Sequence, residues 1–286
     1  MPIHSVGFVG YGAMASRMGG HLAKAGYKVC AYTPSGKSRD NSTPMLATPR
    51  AVAEASDAVI VCVPADDALR SSAYGEKGFF AGMSPGSLLI NMSSVSPDTA
   101  DVLRGFGEGR EITVLDAPVS GSTPEADSAS LVILAGGTAA EIARAQPLFD
   151  KIGRLTIHAG PPGAGSRLKL VINGIMGATL AAIAEAVGYG LGAGLDRAKL
   201  YDALEEMAVI SPHHKRKLKA AKDRNFTPQF PTRLMQKDMR LLQDAAARLA
   251  VPMPTQAAAT QMMSLARRSG ADLDYSCLFR LFENKQ

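Results

Sequence analysis

The chain has no tryptophan, only 6% aromatic residues and three cysteines among 286 residues. Cys30, Cys62 and Cys277 lie far apart, and no C-x-x-C occurs. That excludes a zinc ribbon or a dithiol redox centre, and an odd, sparse thiol count suits a reducing compartment. The adjacent pair His213-His214 has no third ligand in view, and neighbouring helical residues diverge by about 100°, so no metal is expected. Long apolar runs are also missing. The most apolar stretch, 170–184, contains Asn173 and Thr179, so no membrane span is read from it. The N-terminus has no basic stretch ahead of an apolar one, so no secretory signal is read and a cytoplasmic location is expected. The absence of any repeat of solenoid length, or of a G-X-Y period, excludes helical arrays and collagen.

Charge of one sign is not extreme. Lys+Arg 31 against Asp+Glu 26 leaves a net charge of +5, which fits a small anionic ligand as well as a nucleic acid. The segment His213–Lys219, followed by Lys222 and Arg224, is strongly basic. No aromatic residues interleave it and no DNA-binding motif accompanies it, so no nucleic-acid partner is expected. It reads as a solvated helix face, or as a contributor to binding a doubly charged substrate.

What is present is a clear change of organisation near residue 160. Ser5–Val9, Lys28–Tyr32, Ala58–Val63, Ser87–Asn91, Thr113–Ala117, Leu131–Ala135 and Arg154–Ala159 read as strands. Runs such as AVIVCV suit strands covered on both faces. Helical patterns over Ala13–Ala25, Pro49–Ala55, Asp66–Ala73 and Pro97–Phe106 separate the early ones, which implies a parallel sheet with right-handed crossovers. GPPGAG at 160–165 punctuates the chain, and beyond Ser166 no strand is legible. Breaks at 192–194, 211–212, 227–231, 251–254 and 270–272 divide the remainder into helices. The expected architecture is an α/β Rossmann-type N-terminal domain with a mostly parallel sheet over 1–160. An all-α C-terminal domain over 161–286 comes next, entered through a long helix from about Gly165 to Leu191.

The first βαβ unit carries Gly10-x-Gly12-x-x-Ala15 between two strands. Gly10 permits the tight turn. Gly12 lets backbone approach a pyrophosphate at the helix N-terminus, where free N–H groups favour anions. Gly10, Tyr11, Gly12, Ala13 and Met14 are therefore candidate cofactor-binding residues, with a ligand-free glycine turn as the alternative. At the end of the second strand a dinucleotide binder for NAD usually places an acid to hold the ribose hydroxyls. Here Thr33-Pro34-Ser35-Gly36-Lys37 comes after Tyr32, and the first acid is Asp40. Hydroxyls from Thr33 and Ser35 and the cation of Lys37 or Arg39 suit a 2′-phosphate, so NADP (NADPH) is the expected cofactor. The same residues could instead form a solvated loop.

Two further segments lie where chemistry is expected. Asp116–Ser122, DAPVSGS, comes after a strand, and loops at strand carboxyl ends line the ligand crevice of an open α/β sheet. Ser120 and Gly121 offer a hydroxyl and backbone N–H groups to a carboxylate; an ordinary turn is the alternative. Lys169 and Asn173 are four apart on the predicted long helix and share an otherwise apolar face. A partly desolvated lysine can donate or accept a proton, though such a pair is also found in purely structural roles.

Taken in order, GFVGYGAM, DAPVSG, GAGSRLKLVIN and a late QKDM at 236–239 resemble the motifs of the β-hydroxyacid dehydrogenases, over essentially the whole length. The resemblance implies that Lys169 is the catalytic lysine, general acid in carbonyl reduction and base in alcohol oxidation. It implies that Ser120 and Gly121 anchor the acid group of the substrate and that Asn173 positions the substrate. Val63 and Pro64 then match the cofactor-contacting pair after a strand. Ser94 stands where a threonine usually faces the nicotinamide, and Lys237 matches a helical lysine that closes over the cofactor. The pattern is not complete. Pro34 stands where many NADP-using relatives have arginine, Ser122 replaces a glycine of the acid anchor, and Ser130 stands where glycine is common.

The expected activity is NADPH-dependent interconversion of a small β-hydroxy acid, carboxylate or phosphonate, with its keto acid or semialdehyde. An imine reductase is a second reading, and a non-catalytic nucleotide-sensing protein on the same fold a third. Lys169 weighs against both. The alanine- and methionine-rich helical half, with the family's habit, predicts a homodimer or homotetramer.

Overall fold

The computed structural model describes residues 2–38, 40 and 42–283. The chain divides into two compact units, residues 1–169 and 170–286.

The first unit is a sheet built from β1 (Ser5–Val9), β2 (Lys28–Tyr32), β3 (Ala58–Val61), β4 (Leu88–Asn91), β5 (Thr113–Asp116), β6 (Val119–Ser120), β7 (Leu131–Gly136) and β8 (Gly153–Gly160). Its order is β2-β1-β3-β4-β5-β7-β6, with β8 on β7. β1 to β5 pair in parallel. β7 runs antiparallel to β5 and β6, and β8 pairs parallel to β7. The helices of this unit are α1 (Ala13–Lys24), α2 (Pro49–Glu54), α3 (Asp66–Ala73), α4 (Phe79–Gly82), α5 (Pro97–Glu108), α6 (Thr123–Asp127) and α7 (Ala139–Ile152).

The strand period of two feeds two cores. Val6, Phe8, Ala58, Ile60, Leu88 and Ile90 pack in one cluster. Their alternate neighbours Val9, Val59, Val61 and Leu89 pack in another. A sheet covered on both faces needs apolar residues at every position, which is why these strands read as unbroken apolar runs. The short helices α4 and α6, the 14-residue α7 and the two-residue β6 were not read from the sequence. The third strand stops at Val61 rather than Val63, because the Val63 N–H donates to the Ser93 hydroxyl at 3.0 Å and leaves the ladder.

The long helix α8 spans Ala164–Gly192 and passes from the first unit into the second. By length and composition it could cross a membrane, contrary to the reading of 170–184 as interrupted; half of its most apolar window is buried within the protein. Its first turn is fastened to the sheet. The buried Asp116 carboxylate accepts the Gly163 N–H at 2.7 Å and the Ser166 N–H at 2.7 Å. These are N–H groups that a helix start cannot satisfy by itself, and a carboxylate also suits the positive end of the helix dipole. Burial pushes the Asp116 carboxyl up, and the two backbone hydrogen bonds oppose that shift. Glycine makes the contact possible. A Cβ on Gly165 would lie 2.1 Å from the Leu134 carbonyl oxygen, and one on Gly136 would lie 2.5 Å from Asp116 Oδ1. This docking keeps the first turn of α8, up to Lys169, with the first unit.

The second unit contains the remainder of α8 with α9 (Arg197–Glu206), α10 (Pro212–Lys222), α11 (Thr232–Arg248), α12 (Pro254–Gly270), a 3-10 turn at Tyr275–Phe279 and α13 (Arg280–Glu283). The basic segment is only partly a solvated face. Lys217 is buried and pairs with buried Asp274 at 2.9 Å. Asp274 also accepts N–H groups of Gln229, Phe230 and Ser276. His213 Nε2 lies 2.5 Å from the Tyr275 hydroxyl, and His214 is held by Ser211 and the Met176 carbonyl. Lys219 remains exposed.

This packing generates two expected outcomes. Gly165→Ala drives a Cβ into backbone and is expected to cost about 1–3 kcal/mol, read as a lowered Tm with the fold retained. Burial, then the cations of Lys217, His214 and Arg216, push His213 down to about 4, with Asp274 opposing. Unfolded, it titrates near its ordinary 6.5. Between those values the unfolded chain binds more protons, so this group's contribution to stability is lost as pH falls from about 6.5 to 4. His213→Gln is expected to flatten the fall of Tm over that range; an unchanged acid limb would remove the assignment.

Candidate active site

The carboxyl ends of the parallel strands β1 to β5 lie along one sheet edge, and β1 has β2 on one side and β3 on the other. That is the switch point at which open α/β sheets hold ligands. The turn after β1 is tight. Gly10 has φ +88, its N–H donates to the Tyr32 carbonyl at 2.9 Å, and a Cβ there would sit 2.4 Å from the Cys62 carbonyl oxygen. Gly12 caps α1 at an ordinary φ of −82, and no side chain caps this N-terminus. A Cβ on Gly12 would meet nothing within 4 Å. Ala15, the third position of the fingerprint, is fully buried. Open backbone at an uncapped helix start fits a pyrophosphate. What the turn offers is the backbone of Gly12, Ala13 and Met14. Tyr11 contributes backbone alone, because its ring is buried beside Phe8 at 5.5 Å between centroids.

After β2, Thr33 to Gly36 form a turn closed by the Gly36 N–H on the Thr33 carbonyl. The Thr33 and Ser35 hydroxyls lie 3.1 Å apart, and Lys37 is exposed. Arg39 lies outside the described residues. After β3 and β4, Val63 and Ser94 are half-buried and Pro64 exposed. The buried Ser93 braces the two loops, accepting from Val63 and donating to the Val61 carbonyl at 3.3 Å. Ser93 was not singled out from sequence, although NMSS places it beside Ser94.

Ser120 ends β6, and Gly121 comes next at φ +130, exposed. Ser122 is the third residue of the expected anchor. Ser122 is the N-cap of α6, and its N–H donates to Glu125 Oε2 at 2.7 Å, so that donor is committed.

Lys169 stands one turn past the Asp116-capped start of α8, and Asn173 a turn further on the same face. Asn173 is fully buried in the helical unit, where its Nδ2 donates to Asp238 Oδ2 at 2.6 Å. Asp238, itself buried, also pairs through Oδ1 with Lys237 at 2.8 Å. Asn173 Oδ1 has no hydrogen-bond partner among the described residues. A buried acceptor left open is costly and calls for a ligand donor. α11 reaches Asn173 because Gly174 and Gly177 carry no side chains: a Cβ on either would meet Leu242 at 2.2 Å or Met239 at 2.5 Å. The pairing of Asp238 with Asn173 was not foreseen; the Gly174-x-x-Gly177 spacing is the signal that points to it. Among the described residues no cluster of His, Cys, Asp or Glu could hold a metal.

The comparisons with known proteins agree with this architecture. Residues 5–160 match the family model described as the NAD binding domain of 6-phosphogluconate dehydrogenase. Residues 163–282 match the NAD-binding model of NADP-dependent 3-hydroxyisobutyrate dehydrogenase. The chain belongs to the β-hydroxyacid dehydrogenase family. It is 32% identical to 2-hydroxy-3-oxopropionate reductase of Escherichia coli, over 97% of each chain. It is 29% identical to NAD-dependent L-serine dehydrogenase of Pseudomonas aeruginosa, over 98% of each. The crystal structure of 3-hydroxyisobutyrate dehydrogenase from Salmonella typhimurium matches with a TM-score of 0.87 at 26% identity, over 97% of this chain and 99% of that one. As a family member the chain is an oxidoreductase with an NAD(P)-binding domain.

Gly12→Val tests the cradle. The added side chain enters open space at an ordinary φ, so Tm is expected to stay near that of the parent. Affinity for the dinucleotide should fall by about tenfold or more, read by direct titration.

Proposed function

We propose that this protein is an NADPH-dependent reductase of a small acid whose carbonyl lies one carbon removed from the acid group, acting reversibly on the matching β-hydroxy acid. The observation that carries this reading is the unmatched, buried Asn173 Oδ1, one helical turn from Lys169. An amide oxygen held open by Asp238 accepts a hydrogen bond from a substrate hydroxyl. Lys169 Nζ gives its proton to the substrate oxygen in reduction and takes one in oxidation. The Ser120 hydroxyl and the Gly121 N–H hold the acid group, carboxylate or phosphonate. The nicotinamide, when bound, supplies the hydride. What this chain does is orient the acid group and hold the proton at Nζ.

Gly10, Gly12, Ala13 and Met14 carry the dinucleotide by backbone, with Val63, Pro64, Ser94 and Lys237 as further contacts. The hydroxyls of half-buried Thr33 and exposed Ser35 and the exposed Lys37 ammonium support a 2′-phosphate over a bare ribose. Three free cysteines, Cys30, Cys62 and Cys277, support a cytoplasmic setting. Self-association as a homodimer or homotetramer completes the proposal.

The test is loss of NADPH absorbance, with NADH alongside, over tartronate semialdehyde, methylmalonate semialdehyde, glyoxylate, succinic semialdehyde, acetoacetate and a β-keto phosphonate. Turnover of one or more with NADPH preference is the expected result. Lys169→Ala is expected to lower kcat by about 10²–10⁴-fold with dinucleotide affinity retained. Unchanged turnover in that variant would refute the lysine's role, and silence across the panel would refute the substrate class.

A further inference from the structure

The acid beyond β2 is present in this chain, and it is already occupied. Asp40 Oδ1 accepts the Ser38 hydroxyl at 2.7 Å and the N–H groups of Ser42 and Thr43 at 3.1 and 3.0 Å. Its Oδ2 accepts the Thr43 hydroxyl and the Tyr11 hydroxyl, each at 2.8 Å. Each carboxylate oxygen offers about two acceptor positions, so the three donors fill Oδ1 and Oδ2 is filled only with Tyr11 included. Four of those donors come from its own loop. The fifth comes from Tyr11, inside the glycine turn, 29 residues earlier.

Tyr11 is placed for this by the helix it precedes. Its side chain is almost wholly buried. It runs beside α1 because Gly19 has no side chain there: a Cβ on Gly19 would lie 2.4 Å from the phenol oxygen. The phenol also lies 2.9 Å from Thr43 Oγ1, so tyrosine, threonine and aspartate close a triangle. Burial and the adjacent carboxylate hold the phenol protonated, against the Thr43 contact. Burial would raise Asp40, but the hydrogen bonds from Ser38, Thr43 and Tyr11 outweigh it and hold the carboxyl well below its usual range. The carboxylate is therefore charged and fully engaged at neutral pH.

We propose that the Tyr11 hydroxyl determines cofactor preference in this chain, by holding the Asp40 carboxylate within its own loop so that it cannot receive ribose hydroxyls. The inference rests on the NADPH reading above. An acid free to turn toward the adenosine ribose would accept its hydroxyls and repel a 2′-phosphate. An acid locked by a buried phenol does neither, and Thr33, Ser35 and Lys37 then set the chemistry of the loop. The signal in the sequence is a tyrosine between the two glycines, paired with a glycine eight residues on.

Dissociation constants for NADPH and NADH, taken from the fluorescence of the reduced cofactor, test this on the whole protein. Tyr11→Phe removes one oxygen and leaves the ring in place. It is expected to shift the ratio of the two constants toward NADH by about tenfold. Tyr11→Phe combined with Asp40→Asn is expected to abolish the NADH gain, which a general loosening of the loop would not do. Gly19→Ala, which displaces the phenol from the opposite side, is expected to reproduce the shift and serves if Tyr11→Phe fails to fold. A parent that prefers NADPH, with variants whose two constants both stay unchanged, would overturn the role of Tyr11 alone. An NADH gain that persists without Asp40 would do the same. A parent that prefers NADH would overturn the NADPH reading and the inference with it.

Discussion

The Asp116 carboxylate on the first turn of α8 is the contact on which the placement of that helix start depends. It is buried, and it spends both oxygens on backbone N–H groups of one helix start. Buried carboxylates survive when such donors compensate for lost water. The result is a helix whose origin and rotation are set by the sheet edge that also carries the glycine turn. Lys169 inherits its position from that start, three residues past the second anchored N–H. Gly136 and Gly165 are required because the helix approaches the sheet at backbone distance.

A second carboxylate, Asp238, works in the helical unit in a comparable way. It orients Asn173 through one oxygen and Lys237 through the other. Asn173 can present its oxygen because its amide nitrogen is already committed. An asparagine without that partner could turn either way, and its selectivity for a donor would be lost. Both carboxylates act through neighbours: Asp116 through backbone N–H groups of α8, Asp238 through the Asn173 amide.

Much of the fold was legible because the sheet is covered on both faces. Continuous apolar runs marked β1, β3, β4 and β7, and proline or glycine marked most helical breaks. The reading fails where elements are too short to show a period, as in α4, α6 and β6, and at α7, whose helical pattern is interrupted by Pro147. Within the candidate site, motif residues such as Gly10, Gly12, Lys169 and Asn173 were visible because their spacing is local. Their partners were not. Asp116 meets α8 across about fifty positions, Asp238 meets Asn173 across sixty-five, and Asp40 meets Tyr11 across twenty-nine. No periodicity encodes such pairs. The Ser122 N–H is engaged in a similar way: Glu125, three residues later, accepts it and makes Ser122 a helix cap.

The hub at Asp274 bears on how the chain is made. Its carboxylate gathers Lys217, Gln229, Phe230 and Ser276. Lys217 stands fifty-seven residues ahead of the acid that neutralises it. Asp116 has both of its backbone donors once Ser166 has been made, three residues before the first unit ends. The helical unit must wait more than a hundred residues longer for its own hub. The carboxylate contact of the first unit is thus complete in the chain long before that of the second, an order that suits domain-by-domain folding during synthesis.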